Sequence, residues 1–159
     1  MPYLPNQGGG VKFLWTDDFR AWMLKQLLAR EGAPYQFGAK WKWAEKDPQG
    51  PIDCSGLVSW IFSLGNIKMP DGSWNQMEVL EPWNGGVVRP FVLGFSDSLE
   101  DDDERVDHVN IAISATEVIE ARGGRFMKVV RRPVKNWEEY KGFKGWHFLR
   151  GTVAKRAVA

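Results

Sequence analysis

The chain has 159 residues, 43% apolar and 26% charged, which is the size and make-up of one globular domain with a single core. No apolar run reaches the ~18 to 20 residues of a membrane-spanning helix, and Met1 to Gly10 has neither a basic start nor an apolar stretch, which speaks against a membrane span and a signal peptide. The formal charge of +1 hides an asymmetry: residues 1–120 hold 10 basic and 18 acidic side chains and residues 121–159 hold 11 and 2, so one end of the chain favours an anionic partner.

Gly8, Gly9 and Gly10 close the Pro-containing stretch of an N-terminal arm, residues 1–15, and nothing after it divides residues 16–152, which read as one domain before a basic tail at 153–159. Thr16, Asp17 and Asp18 predict a helix start, and Phe19, Trp22, Met23, Leu27 and Ala29 supply its apolar stripe up to Gly32. Ala33 to Ile52 is rich in turn formers. A second helix opens at Asp53-Cys54-Ser55 and runs through Leu57, Val58, Trp60, Ile61 and Phe62 to Gly65, with Cys54 in its first turn. A short helix is expected from Ser73 to Leu80, after the Pro70-Asp71-Gly72 turn. The period then changes to two. Strands are expected over Val87 to Phe95, Val106 to Ile113, Glu117 to Arg122, Phe126 to Arg132 and Trp146 to Arg150. Helices followed by a meander of strands imply an α+β fold with an antiparallel sheet covered on one face.

The one cysteine excludes an internal disulfide and a zinc site of several thiolates, and two histidines exclude a multi-histidine metal centre; no cofactor is expected. Cys54 stands where a helix dipole and free backbone N–H groups favour thiolate over thiol, although a free cysteine is also a common inert core residue. In Asp107-His108-Val109-Asn110-Ile111-Ala112-Ile113, alternation sends Val109, Ile111 and Ile113 to one face and His108, Asn110 and Ala112 to the other. The small Ala112 is expected to leave room there for the helix that carries Cys54. Ile119 and Ala121 continue the apolar face of the next strand and turn Glu120 toward His108, opposite it or one rung diagonal. Cys54, His108 and Glu120 would then be nucleophile, base and orienting group. Taken singly, His108 reads as a structural histidine and Glu120 as a solvated carboxylate.

Tyr35-Gln36-Phe37-Gly38, Asp53-Cys54-Ser55-Gly56-Leu57-Val58, His108-Val109 and Val118-Ile119-Glu120-Ala121 resemble, in order, the motifs of NlpC/P60 cysteine peptidases. The resemblance covers roughly Phe19 to Arg150. It implies a papain-like core of helices against an antiparallel sheet, and hydrolysis of bacterial peptidoglycan stem peptides, often between D-glutamate and a diamino acid. It also implies Tyr35 as an oxyanion donor beside the Cys54 N–H, and Asp53 and Ser55 as residues lining the peptide site. Asn110 stands where the family commonly has glycine, Glu120 where histidine is more usual, and Val88 to Phe95 lacks the usual Gly-Asp.

Trp41 and Trp43, among Lys40, Lys42 and Lys46, are expected to wall one side of the cleft, against the competing reading that tryptophans belong to the core. Glu100 to Glu104, with Asp97 and Asp107, lacks the glycine of an EF-hand loop and reads as a solvated acidic loop, not a calcium site. His147 reads as structural. The lack of an export signal points to synthesis in the cytoplasm and action on the wall as a phage lysin or virion-borne hydrolase. The basic C-terminal third would aid adsorption to an anionic cell envelope, and no specific nucleic-acid partner is implied. A Cys-His amidase or acyltransferase on the same fold, and an idle wall-binding or virion module, are the alternatives.

Overall fold

A computed structural model describes residues 15–98, 103 and 105–155. Helix α1, Asp17–Leu28, begins as expected: the Phe19 N–H donates to Thr16 Oγ1 at 3.0 Å, and Asp17 and Asp18 lie in the first turn, where they meet the positive end of the helix dipole. Met23 and Leu27 are buried, and Leu24 and Leu28 pack on the core beside them. Two members of the expected stripe do not join them. Trp22 is 40% exposed, stacked on Phe19, and Ala29 is the exposed C-cap.

Helix α2, Cys54–Leu64, is the centre of the core, with Leu57, Val58, Trp60, Ile61 and Phe62 buried. Each such side chain contributes about 1.5 to 3 kcal/mol when removed from water. The helix stops at Gly65, where a Cβ would come within 2.4 Å of the Trp15 ring. Trp15, read from sequence as the end of the arm, is therefore a core residue, 3% exposed and edge-on to Phe19 and Phe91. Helix α3 follows at Ser73–Glu78. No helix among the described residues is long and apolar enough to cross a membrane.

The sheet has six strands: β1 (Glu81–Pro82), β2 (Leu93–Ser96), β3 (His108–Ala112), β4 (Glu117–Arg122), β5 (Lys128–Pro133) and β6 (Phe143–Phe148), in the order β1-β6-β2-β3-β4-β5, every pair antiparallel. The α+β class read from the sequence is the observed one. The strand expected from Val87 shrinks to Leu93–Ser96, because Phe91 takes φ of 75°, outside any extended conformation. The last strand starts earlier than expected, at Phe143. Strand β1 and the five-residue helix α4, Val134–Glu138, were not anticipated.

Each face of the sheet carries its own core. Val109, Ile111, Ile119, Ala121 and Val129 pack with α1 and α2. Ala112 and Val118 face the other way, onto Val88, Val92, Val134 and Trp137. This corrects the expectation for Ala112: the helix bearing Cys54 lies on the opposite face, where its apolar side chains meet Val109 and Ile111. Segment 88–92 and helix α4 cover the face of His108.

Candidate active site

Cys54 is the first residue of α2, and Asp53 caps that helix by accepting from the Gly56 N–H at 2.6 Å. The thiol is partly exposed and reaches over the end of β3, with Sγ 3.9 Å from the Asp107 carbonyl oxygen. His108, the first residue of β3, follows that carbonyl. Cysteine and histidine thus meet at the N-terminal end of β3.

The pairing of Ile111 with Ile119 and Ala112 with Val118, continued along the ladder, sets Glu120 opposite Asn110 and one rung diagonal from His108. His108 Nε2 and Glu120 Oε1 are 2.5 Å apart, and the Glu120 side chain is fully buried. Nδ1 is then the ring nitrogen left for the sulfur. Burial disfavours a charged ring, but hydrogen bonds to Cys54 and Glu120, together with their negative charge, outweigh it and raise the His108 pKa from 6.5 to about 10. At neutral pH the imidazole therefore holds its proton and can act as an acid.

The second oxygen of Glu120 has a partner that the sequence reading missed. Trp137 Nε1–H donates to Glu120 Oε2 at 2.7 Å, and its ring stacks on His108 with centroids 5.1 Å apart and planes inclined by 22°. Trp137 belongs to the unanticipated α4; a tryptophan in a segment too short for a period gave no signal. Arg122 Nη1 lies 3.8 Å from Glu120 Oε1, so one buried carboxylate faces an imidazole, an indole N–H and a guanidinium.

Tyr35 lines the same cavity as His108. Its ring packs against Gly123, where a Cβ would come within 3.0 Å of it. Burial raises the Tyr35 pKa, and the charges of Cys54 and Asp53 add to the effect, keeping the hydroxyl a donor. Asp53 and Ser55 are buried, 6% and 5% exposed. Besides the cap, Asp53 accepts from the Gly38 N–H at 3.1 Å and from Lys40 Nζ at 2.7 Å, and the same ammonium lies 3.2 Å from Ser55 Oγ and 3.0 Å from Asp71 Oδ1. Asp53 and Ser55 are thus joined to Lys40, and Asp53 to the helix start.

Trp41, half-buried, packs edge-on against the core residue Trp60, and Trp43 is 48% exposed; neither lines the cavity that holds Tyr35 and His108. Asn110 is buried across the ladder from Gly94, where a Cβ would come within 2.8 Å of its side chain. The glycine absent after His108-Val109 is thus answered by one on the neighbouring strand. His147 packs edge-on to Phe95, and burial lowers its pKa, which suits a neutral structural ring. The acidic run Glu100 to Glu104 lies outside the described residues except for Asp103.

Residues 32–141, more than half of the chain, match the model of the NlpC/P60 family. The chain belongs to the NlpC/P60 family. A 53-residue stretch is 38% identical to the bifunctional muramidase/DL-endopeptidase CwlT of Bacillus subtilis (strain 168), covering 33% of this chain and 14% of CwlT. A Staphylococcus aureus protein of the NLP/P60 family superposes with a TM-score of 0.65 at 20% identity over 89% of this chain and 45% of that one. The peptidoglycan hydrolase RipB of Mycobacterium tuberculosis superposes with a TM-score of 0.61 at 19% identity, over 94% and 75%. RipD from the same organism, described as a non-catalytic NlpC/p60 domain protein adapted to peptidoglycan binding, has a TM-score of 0.61 at 16% identity, over 81% and 95%. This NlpC/P60 chain thus spans less than half the length of CwlT and of the staphylococcal protein, and it shares its papain-like fold with hydrolytic and non-catalytic relatives.

Proposed function

We propose that this NlpC/P60 protein is a cysteine endopeptidase that hydrolyses peptidoglycan stem peptides, at the bond between D-glutamate and a diamino acid. The observation that carries the reading is the pairing of part-buried His108 with fully buried Glu120, 2.5 Å apart, beside the only thiol of the chain. A carboxylate buried beside a histidine and partnered on both oxygens favours a catalytic reading over a module kept only for binding, since such a group is costly to bury.

In this mechanism the Cys54 sulfur attacks the peptide carbonyl, and the C–O π pair becomes the oxyanion. The Cys54 backbone N–H, free at the start of α2, and the Tyr35 hydroxyl hold that charge. His108 gives its proton to the leaving amine as the C–N bond breaks, which leaves a thioester. Water then attacks the thioester, His108 takes the water's proton, and the thiolate departs with the acid product released. Glu120 keeps the ring oriented and stabilises its charged form throughout. The DL-endopeptidase half of CwlT, and the hydrolase description of RipB, support this choice of bond and polymer. The basic C-terminal third supports adsorption to an anionic envelope, and a phage-borne lysin is the setting in which we place it.

Digestion of defined muropeptides, followed by mass spectrometry, tests the reading. The native protein is expected to release the amino-terminal fragment ending in D-glutamate, and Cys54→Ala to release none while keeping the native melting transition. Turnover by Cys54→Ala, or cleavage at an amide outside the stem peptide, would overturn it.

A further inference from the structure

The cavity that holds Tyr35 and His108, about 580 Å³ in volume, is also lined by Arg122, Arg125, Phe126 and Arg132. The guanidinium carbons of the three arginines lie 5.2, 5.0 and 5.1 Å from the centre of the one Phe126 ring. Gathering three like charges on one ring is unfavourable unless something answers them, and the ring's quadrupole answers them only in part. Arg122 has Glu120 at 3.8 Å, but that carboxylate is already hydrogen-bonded to His108 and Trp137. Arg125 and Arg132 have no acidic partner among the described residues. The one carboxylate on the cavity wall among the described residues, Asp107, accepts the Ser98 backbone N–H at 3.1 Å. Positive charge thus stays in excess beside the proposed base. Burial lowers the pKa of Arg122 against the raising effect of Glu120, and Arg132 and Arg125 add to the lowering.

The geometry points to an anion subsite: Arg122, Arg125 and Arg132 take a free carboxylate carried by the residue next to the scissile bond, so that the protein distinguishes the acid form of its peptide from the amidated form. The inference rests on the peptidase reading and deepens it. The cavity is shared with the base and the tyrosine hydroxyl, so an anion bound there belongs to the peptide itself. Planar guanidinium forks match a carboxylate's two oxygens. A glutamate joined through its side chain leaves its α-carboxylate free beside the bond, and replacing that group by a carboxamide removes the charge and leaves the shape almost unchanged.

The test uses two stem peptides identical except for a free or amidated α-carboxylate on the glutamate. Each is titrated calorimetrically into Cys54→Ala protein, and each is offered to the native protein for turnover. Cys54→Ala should bind the acid at least about tenfold more tightly than the amide, the range of charge-assisted hydrogen bonds. Adding Arg125→Gln and Arg132→Gln should bring that ratio close to one. Arg125→Gln alone, in an exposed loop, should lower it without threat to the fold. Arg131→Gln, whose arginine pairs with Glu31 instead, should keep it. Equal binding of the two peptides, binding of neither, or a ratio that survives both arginine substitutions would overturn the subsite. The two readings fail separately. Discrimination in binding with no cleavage by native protein would remove the peptidase and keep the subsite, whereas equal cleavage of both peptides with equal binding would do the reverse.

Discussion

In the proposed mechanism Glu120 is the residue on which the chemistry of the site turns. Its two oxygens have different duties: Oε1 faces His108 at 2.5 Å, and Oε2 accepts from Trp137 at 2.7 Å. An amide at this position keeps an acceptor for the ring N–H but cannot stabilise the imidazolium, so Glu120→Gln should retain measurable activity and Glu120→Ala should lose more. Removing the negative charge lowers the His108 pKa from its value near 10, so the alkaline limb of the Glu120→Gln rate profile should move to lower pH. Trp137→Phe leaves an aromatic face for His108 but deprives a buried carboxylate of a donor, which costs about 1 to 3 kcal/mol. Its kcat should fall with little change in KM. Rates over a pH series for the three variants check both statements, and a profile unchanged from wild type in all three would make Glu120 and Trp137 structural only.

At the scale of elements, α2 owes its precise start to Asp53 and Gly56. Asp53→Ala removes the N-cap, the Gly38 contact and the partner of Lys40 together, and should destabilise by about 2 to 4 kcal/mol in urea unfolding. Asp53→Asn keeps an acceptor for the cap and should cost less. At Gly56 two effects oppose each other. Alanine is better than glycine in a helix by about 1 kcal/mol, yet its Cβ would lie 2.7 Å from Asp53 Oδ1 and 2.8 Å from the Ala39 carbonyl oxygen. A backbone oxygen at that distance cannot simply rotate away, so overpacking wins and Gly56→Ala should be net destabilising by about 1 to 3 kcal/mol. A stabilised Gly56→Ala protein would show that the turn around Ala39 gives way.

At the scale of the molecule, the site is linked to stability through pH. The folded protein raises the His108 pKa from 6.5 to about 10, so the folded state binds this proton more tightly than the unfolded chain does. The stabilisation is complete below pH 6.5 and is lost as pH rises toward 10. The urea midpoint of the native protein should therefore fall across that window. Cys54→Ala and Glu120→Gln, each lacking one of the groups that hold the proton, should show a shallower fall. Equal slopes in all three proteins would mean that other titrations govern alkaline stability.

The α+β class, the capped starts of α1 and α2, the single thiol and the two faces of β3 and β4 were legible in the sequence, because caps and periods are local and survive without tertiary context. That Glu120 shares a face with His108, opposite it or one rung diagonal, was legible for the same reason: alternation plus a short turn determines which side chains share a face; the pairing of β3 with β4 decides for the diagonal. Other features were settled only by the folded chain. A helix packs where apolar area is largest, so α2 lies on the Val109 and Ile111 face, and Cys54 reaches His108 around the strand's end and not across Ala112. Trp41 packs half-buried against the core residue Trp60 and Trp22 lies at the surface, since a tryptophan's fate depends on which neighbours assemble around it. Trp137 and α4 were invisible because five residues hold too little of a helical period to register. The three arginines around Phe126 read along the chain only as positive charge. Their meeting beside His108 depends on the pairing of β4 with β5, which brings together residues that the sequence keeps as much as ten positions apart.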